Sequence, residues 1–225
     1  MQIKKSNSKD DLTGLHTYRS FTEIIEEQII KAEDKGTEFS LAFVDIDFFK
    51  KINDEQGHQT GDAVIKTLAG YLVDSLSDKA IVFRYGGEEF AIIFAELEKE
   101  QAFFLLEEIR RRFDKEHIFE HDKGNISLKV TFSAGISSFP EDGNRINNII
   151  RKADEALYRA KSTGRNKICL SREEKMVTKT SHYTQSQLKR LAELAKKEEV
   201  GEAVLLREAL DDVFKKYDDR LNPTS

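Results

Sequence analysis

Four acidic residues stand where carboxylates are costly. Asp45 and Asp47 flank Ile46 at the point where the apolar run F-S-L-A-F-V-D gives out, and strand alternation puts both on one face. Glu88 and Glu89 open E-F-A-I-I-F, directly after Gly86-Gly87. Two adjacent acids at the start of an otherwise apolar strand are unfavourable without a counter-charge. One reading is plain solvation of a strand end and a hairpin tip. The other is chemical: strand ends carrying Asp45 and Glu88 suit a hard cation such as Mg²⁺, which takes oxygen ligands and binds nucleotide phosphates. The glycines then let backbone and substrate approach closely.

Those residues need elements to hold them. Phe21, Ile24, Ile25 and Ile29 recur at helical spacing, predicting a helix over 17–35 that Gly36 stops. Residues 39–45 read as a buried strand. Residues 47–54 read as a short helical turn, 58–61 as a loop and 62–75 as an amphipathic helix. Residues 80–85 and 89–94 read as a hairpin about Gly86-Gly87, where φ > 0 is freely available. A helix over 99–116, strands over 126–131 and 132–139, a helix over 146–162 and a strand over 167–170 complete the order. The pattern predicts an α/β fold, a mixed, mostly antiparallel sheet flanked by helices, followed by a small, mostly helical appendage. The boundaries are a flexible 1–10, a domain over 11–172 and a segment over 173–225.

Composition narrows the function classes. A 39% hydrophobic share in 225 residues supports a core. A net charge of −5 argues against a molecule-wide grip on nucleic acid, though not against a local basic site. The single Cys169 excludes an internal disulfide and a Cys-rich zinc site, and it fits a reducing, cytoplasmic compartment. M-Q-I-K-K-S-N-S-K-D-D holds no apolar stretch, so no secretory signal is expected. No apolar run approaches the ~20 residues of a membrane span, so no membrane partner is expected either.

Five blocks together resemble the GGDEF diguanylate cyclases, over residues 10 to 171. They are L-T-G-L (12–15), D-I-D-F-F-K (45–50), G-G-E-E-F (86–90), S-A-G-I-S (133–137) and A-D-E-A-L-Y-R-A-K-S-T-G-R-N (153–166). Within K-I-N-D-E-Q-G-H-Q-T-G-D, Asn53 and Asp62 follow Asp45 at 8 and 17 residues, as in the family.

The resemblance implies a reaction joining two GTP molecules into cyclic di-GMP with loss of two pyrophosphates. It implies Mg²⁺ (or Mn²⁺) held by Asp45, the carbonyl of Ile46, Glu88 and Glu89. Glu88 and Lys50 are the catalytic candidates, Glu88 as the base toward the ribose 3′-hydroxyl. Phe48 and Phe49 fall where backbone N–H groups meet phosphate. Lys50, Lys161 and Arg165 resemble the residues that neutralise the triphosphate and pyrophosphate. Asn53 and Asp62 resemble the guanine readers, which predicts a preference for GTP over ATP. Against each stands a bland alternative: solvated helix charges for Lys50, Lys161 and Arg165, a helix-end residue for Asn53, an N-cap for Asp62.

Two departures matter. Thr17 replaces an Asn common near the start of the family. Ser77 and Ala80 stand where many members carry the R-x-x-D of an inhibitory product site, so inhibition through that site is not expected. Each 3′-oxygen must attack the other nucleotide's α-phosphate, so the resemblance implies a homodimer, usually controlled by an attached sensor domain. No sensor is expected before Leu12.

The extension after Ser171 is therefore the candidate for control. Thr184 and Gln187 form a capping box before Leu188, Leu191 and Leu194. Val204, Leu205, Ala209, Leu210, Val213 and Phe214 make a second apolar stripe. The segment weakly resembles a ribbon-helix-helix module, whose ribbon enters the DNA major groove. Lys179 and Ser181 are poor inward ribbon residues, and ten Lys/Arg against eleven Asp/Glu from Glu173 on is no basic footprint. A helical hairpin or coiled coil is the rival reading, and both want a second copy as partner. The reading is a cytoplasmic, dimeric diguanylate cyclase. Its rivals are a catalytically silent GTP or cyclic di-GMP binder and a DNA-binding regulator.

Overall fold

The computed structural model describes residues 8–76, 80–120, 124–171, 181–197, 201–203, 205, 206, 209, 210, 213 and 217. The chain divides into two compact units, residues 1–174 and 175–225.

The first unit runs β1 (His16–Thr17), α1 (Tyr18–Lys35), β2 (Phe39–Ile46), α2 (Phe49–Gln56), α3 (His58–Leu76), β3 (Ile81–Arg84) and β4 (Glu89–Ala95). It continues with α4 (Lys99–Phe113), β5 (Lys115–Phe119), β6 (Ile126–Val130), β7 (Phe132–Phe139), α5 (Ile146–Ser162) and β8 (Ile168–Leu170). Six strands form one sheet in the order β1-β3-β4-β2-β7-β8, while β5 and β6 pair separately. The three inner pairings are antiparallel and the two outer ones, β1 with β3 and β7 with β8, are parallel. The mixed, mostly antiparallel sheet flanked by helices is thus as the sequence predicts.

Strand β2 lies between β4 and β7, and all eight of its residues are buried. Alternation divides its side chains between two cores. Ala42, Val44 and Ile46 join Leu68 and Leu72 of α3 and Leu106 of α4 on one face. Phe39, Leu41 and Phe43 join Phe21 and Ile25 of α1 and Ile149 and Leu157 of α5 on the other. Helix α5 can press closely because its facing residues include Ala153, Ala156 and Ala160. A Cβ at Gly135 of β7 would lie 2.1 Å from the Leu157 nitrogen, so only glycine permits this approach.

Three expectations need correction. The predicted helix over 99–116 ends at Phe113, and Lys115–Phe119 is a strand paired along its whole length with β6. The break falls at Asp114, whose carboxylate is held by Asn166 Nδ2 and Lys129 Nζ, both at 2.9 Å. Distant partners, not local propensity, end that helix. Residues 58–61 are the first turn of α3 rather than a loop. The short β1 also went unread, because two residues carry no periodicity.

In the second unit, α6 spans Gln185–Lys197. The expected capping box is present and reciprocal: Thr184 N donates to Gln187 Oε1 at 2.9 Å and Gln187 N to Thr184 Oγ1 at 3.2 Å. Leu188 and Leu194 of its apolar stripe are each 45% exposed, as are Leu210 and Val213 of the second stripe at 51% and 47%. Of the expected ribbon over residues 175–183, residues 175–180 with Lys179 lie outside the described residues, as do Val204 and Phe214, and Ser181–Tyr183 form no strand. Ser181 is described and exposed.

Candidate active site

The site forms where β2 and β4 end side by side. The register sets Asp45 opposite Glu89 on one flank and opposite Ser133 on the other. Like charges directly across a ladder repel, and Asp45 is only 5% exposed. Lys161, in the last turn of α5, answers with its Nζ 2.6 Å from Asp45 Oδ2. Burial pushes the Asp45 carboxyl above its usual range; Lys161 pulls it back and Asp47 adds repulsion. Burial, then the charge of Asp45, pushes Glu89 up in the same way.

Asp47 has a different job. It accepts from Thr131 Oγ1 (2.8 Å), Ser133 Oγ (2.7 Å) and the Asn166 backbone N–H (2.9 Å). It lies in the turn just past β2, and its oxygens are occupied by Thr131 and Ser133 and by the 163–167 loop through Asn166.

The hairpin that carries Glu88 is held from below. Arg84 Nη2 donates to the Gly87 carbonyl at 2.9 Å, and its Nη1 reaches both Asp10 oxygens at 2.9 and 3.0 Å. Asp10 also accepts from the Thr13 N–H (2.8 Å) and hydroxyl (2.7 Å). Burial alone would raise the Asp10 carboxyl; the Thr13 and Arg84 hydrogen bonds outweigh it and hold the group below its usual range. The L-T-G-L block is therefore a brace for the hairpin. The glycines act otherwise than expected, since neither Gly86 nor Gly87 adopts the left-handed region. A Cβ at Gly86 would meet Glu89 Oε2 at 2.5 Å, whereas Gly87 faces open space.

At the start of α2, Phe48 is left-handed, with φ 58°. Its exposed ring lies under the Arg165 guanidinium at 4.5 Å, a cation–π distance. Phe49 is buried in the α3 side of the core, and Lys50 points to solvent from the first turn. The first-turn N–H groups of a helix lack intrahelical partners and suit an anion. Arg165 and Asn166 are both left-handed, at φ 59° and 46°. Asn166 Oδ1 accepts from Arg110 Nη1 at 2.7 Å, which ties this loop to α4.

Asn53 lies on α2 and Asp62 on α3, the two helices joined at Gly57. Asn53 Oδ1 is buried with no hydrogen-bond partner. A Cβ at Gly61 would sit 1.9 Å from that oxygen, so any side chain there would push the Asn53 amide out of its place. A buried, unpaired acceptor costs roughly 1–3 kcal/mol and is suited to a ligand's donor. Asp62 is exposed and lies inside α3, which begins at His58, so the N-cap alternative does not hold.

In donor type, Asp45, Glu88, Glu89 and the Ile46 carbonyl suit a hard divalent cation. Among the described residues no three His, Cys, Asp or Glu side chains are gathered as a ready metal cage. Sequence reasoning missed the positioning residues Asp10, Arg84, Ser133 and Asn166. Their partners lie from 3 to 119 positions away, and the only sequence signal was their place within the motif blocks, for Ser133 and Asn166, or beside them, for Asp10 and Arg84. Ala80 is described, while Ser77 lies outside the described residues.

The profile described as "Diguanylate cyclase, GGDEF domain" matches residues 7–167. The chain belongs to the GGDEF diguanylate cyclase family. Its GGDEF domain is 38% identical over 174 residues to diguanylate cyclase DgcZ of Escherichia coli K12, covering 77% of this chain and 56% of that protein. It is 36% identical over 159 residues to response regulator PleD of Caulobacter vibrioides, covering 71% and 35%. Among solved structures, the GGDEF domain of DgcB from Caulobacter crescentus in complex with c-di-GMP is similar at TM-score 0.68 and 33% identity, covering 75% of this chain and 98% of that one. The chain thus spans about a third to half of the length of these curated relatives. Residues 177–218 match a second profile, "Ribbon-helix-helix domain". Among the described residues no helix is long and apolar enough to cross a membrane.

Proposed function

We propose that this chain condenses two GTP molecules into cyclic di-GMP and two pyrophosphates. The observation that carries this reading is the cross-strand placement of Asp45 and Glu89 beside the Glu88 turn, with Lys161 on Asp45. Asp45, the Ile46 carbonyl, Glu88 and Glu89 would hold Mg²⁺ (or Mn²⁺). When bound, the metal makes the ribose 3′-hydroxyl more acidic and offsets phosphate charge.

The chain's own residues do the rest. Glu88 accepts the 3′-hydroxyl proton as the 3′-oxygen bonds to the partner nucleotide's α-phosphorus. The bond from that phosphorus to the bridging oxygen breaks, and pyrophosphate leaves with the electron pair. Lys50, Lys161 and Arg165 neutralise the phosphates, and the backbone turn at Phe48 and Phe49 cradles them. Asn53 Oδ1 and the Asp62 carboxylate accept from the guanine N–H groups, a donor pair adenine lacks.

Two facing copies are needed for two attacks. The exposed Leu188, Leu194, Leu210 and Val213, with the ribbon-helix-helix match, support a homodimer made through residues 173–225. Their balanced charge supports pairing over DNA binding. Ala80 offers no carboxylate for product inhibition at the R-x-x-D position. The test is incubation with GTP and Mg²⁺, with product identified by mass spectrometry, for wild type and Glu88→Ala. Cyclic di-GMP from the first alone supports the mechanism; equal yields remove it.

A further inference from the structure

Lys161 stands where its cation and a metal ion would compete for the same oxygen. Its Nζ is 2.6 Å from Asp45 Oδ2, and this is the one ion pair to Asp45 among the described residues. The carboxylate is inside the protein, its side chain 8% exposed, while the lysine reaches it from the rim, 32% exposed. Asp47 is filled by three donors and offers the ammonium no second anion, and the Arg165 guanidinium, over the Phe48 ring, acts on Asp45 only through space. Glu89, directly across the ladder, adds negative charge. A buried carboxylate facing another needs a cation, and in this arrangement Lys161 is that cation.

We propose that Lys161 is a resident counter-ion that a divalent cation must displace from Asp45, and that this displacement couples metal binding to nucleotide binding. The proposal rests on the reading of Asp45 as a metal ligand. A divalent cation arriving alone must break the ion pair and leave an ammonium group without an anion, so it binds weakly. With a nucleoside triphosphate present, the displaced ammonium moves to a phosphate. The cost of breaking the pair is then offset, and each ligand tightens the other by the same factor. The geometry permits this exchange. The backbone of α5 is fixed against β7 at Gly135, while the four-carbon lysine stem is free to swing at the rim. In this arrangement the lysine keeps the acidic strand ends neutralised until substrate and metal arrive together.

The test measures Mn²⁺ binding by the electron paramagnetic resonance signal of free Mn²⁺, at pH 8, first without nucleotide and then with a non-reacting GTP analogue. Lys161→Met removes the charge and keeps the stem; Lys161→Gln serves if the first variant folds poorly. The neutral variant is expected to bind Mn²⁺ about tenfold more tightly without nucleotide, and to show a smaller gain when the analogue is added. Lys161→Arg, still a cation, is expected to behave like wild type. An unchanged or weaker Mn²⁺ affinity in both neutral variants overturns the proposal, provided Asp45→Asn still abolishes binding. If Asp45→Asn binds Mn²⁺ as well as wild type does, the metal-site reading itself fails and the proposal goes with it.

Discussion

Strand β2 and helix α6 are both stretches in which apolar residues set the pattern, yet they end up in opposite conditions. All eight residues of Phe39–Ile46 are buried, while of the thirteen in Gln185–Lys197 only Ala195 is. In the GGDEF domain β2 buries its apolar groups within the chain, and the demands around the candidate site are polar: the Asn53 Oδ1 without a partner, and Asp45 and Glu89 opposed across the ladder. The C-terminal unit leaves apolar groups unmet. The first kind of demand is answered by a small ligand with donors and cations, the second by another protein surface.

The largest test of this contrast is Glu88→Ala. Product formation should fall about a thousandfold, within the range for loss of a general base. The thermal midpoint should hardly move, because Arg84 and Asp10 brace the hairpin without Glu88. A large loss of stability would show that the acid is part of the fold, and the contrast would weaken.

Deleting residues 175–225 tests the other half. Linked copies meet at a raised effective concentration, so specific activity at low micromolar protein should drop about a hundredfold and recover as concentration rises. Sedimentation should show a dimer turning into a monomer. Unchanged activity and oligomeric state would remove the tail from the mechanism.

Asn53→Ala sharpens the polar side. Loss of that acceptor should raise the KM for GTP about tenfold, with kcat little changed, and lower the GTP-over-ATP ratio. An equal loss for both nucleotides would show that Asn53 does not read the base.

The smallest effect concerns the frame. Hydrogen bonds from Arg110 and Arg111 hold the Glu107 carboxyl below its ordinary value. A folded-state value below the unfolded one stabilises the fold above the unfolded pKa, and that contribution disappears as pH falls through the folded value. Glu107→Gln should therefore lower the melting temperature at pH 7 by about 2 °C, with the gap to wild type closing in acid.

Much of the frame was legible because its periods are strong. Helix α5 was readable over its full span, since Ile149, Ala153, Ala156, Leu157 and Ala160 recur at helical spacing. The capping box at Thr184 was readable because both partners lie within one turn. Strand β5 was not, because the side chains that stop α4 at Asp114 come from positions 129 and 166. The candidate site divided in the same way. Asp45 and Glu89 were visible as acids in apolar strands, but that they face one another depends on the β2–β4 register. Asp47 looked like the twin of Asp45 until Thr131, Ser133 and Asn166 were seen to fill its oxygens.

The sequence by itself determined which residue types were available for chemistry, which stretches alternate or repeat at helical spacing, and which family the motif blocks resemble. All of these are local properties, carried by side-chain identity and spacing. The tertiary structure alone decided which carboxylate faces a cation, which is locked by hydroxyls, and why Gly135 must lack a side chain. Those outcomes depend on contacts between segments far apart in the chain, which only the folded arrangement of strands and helices brings together.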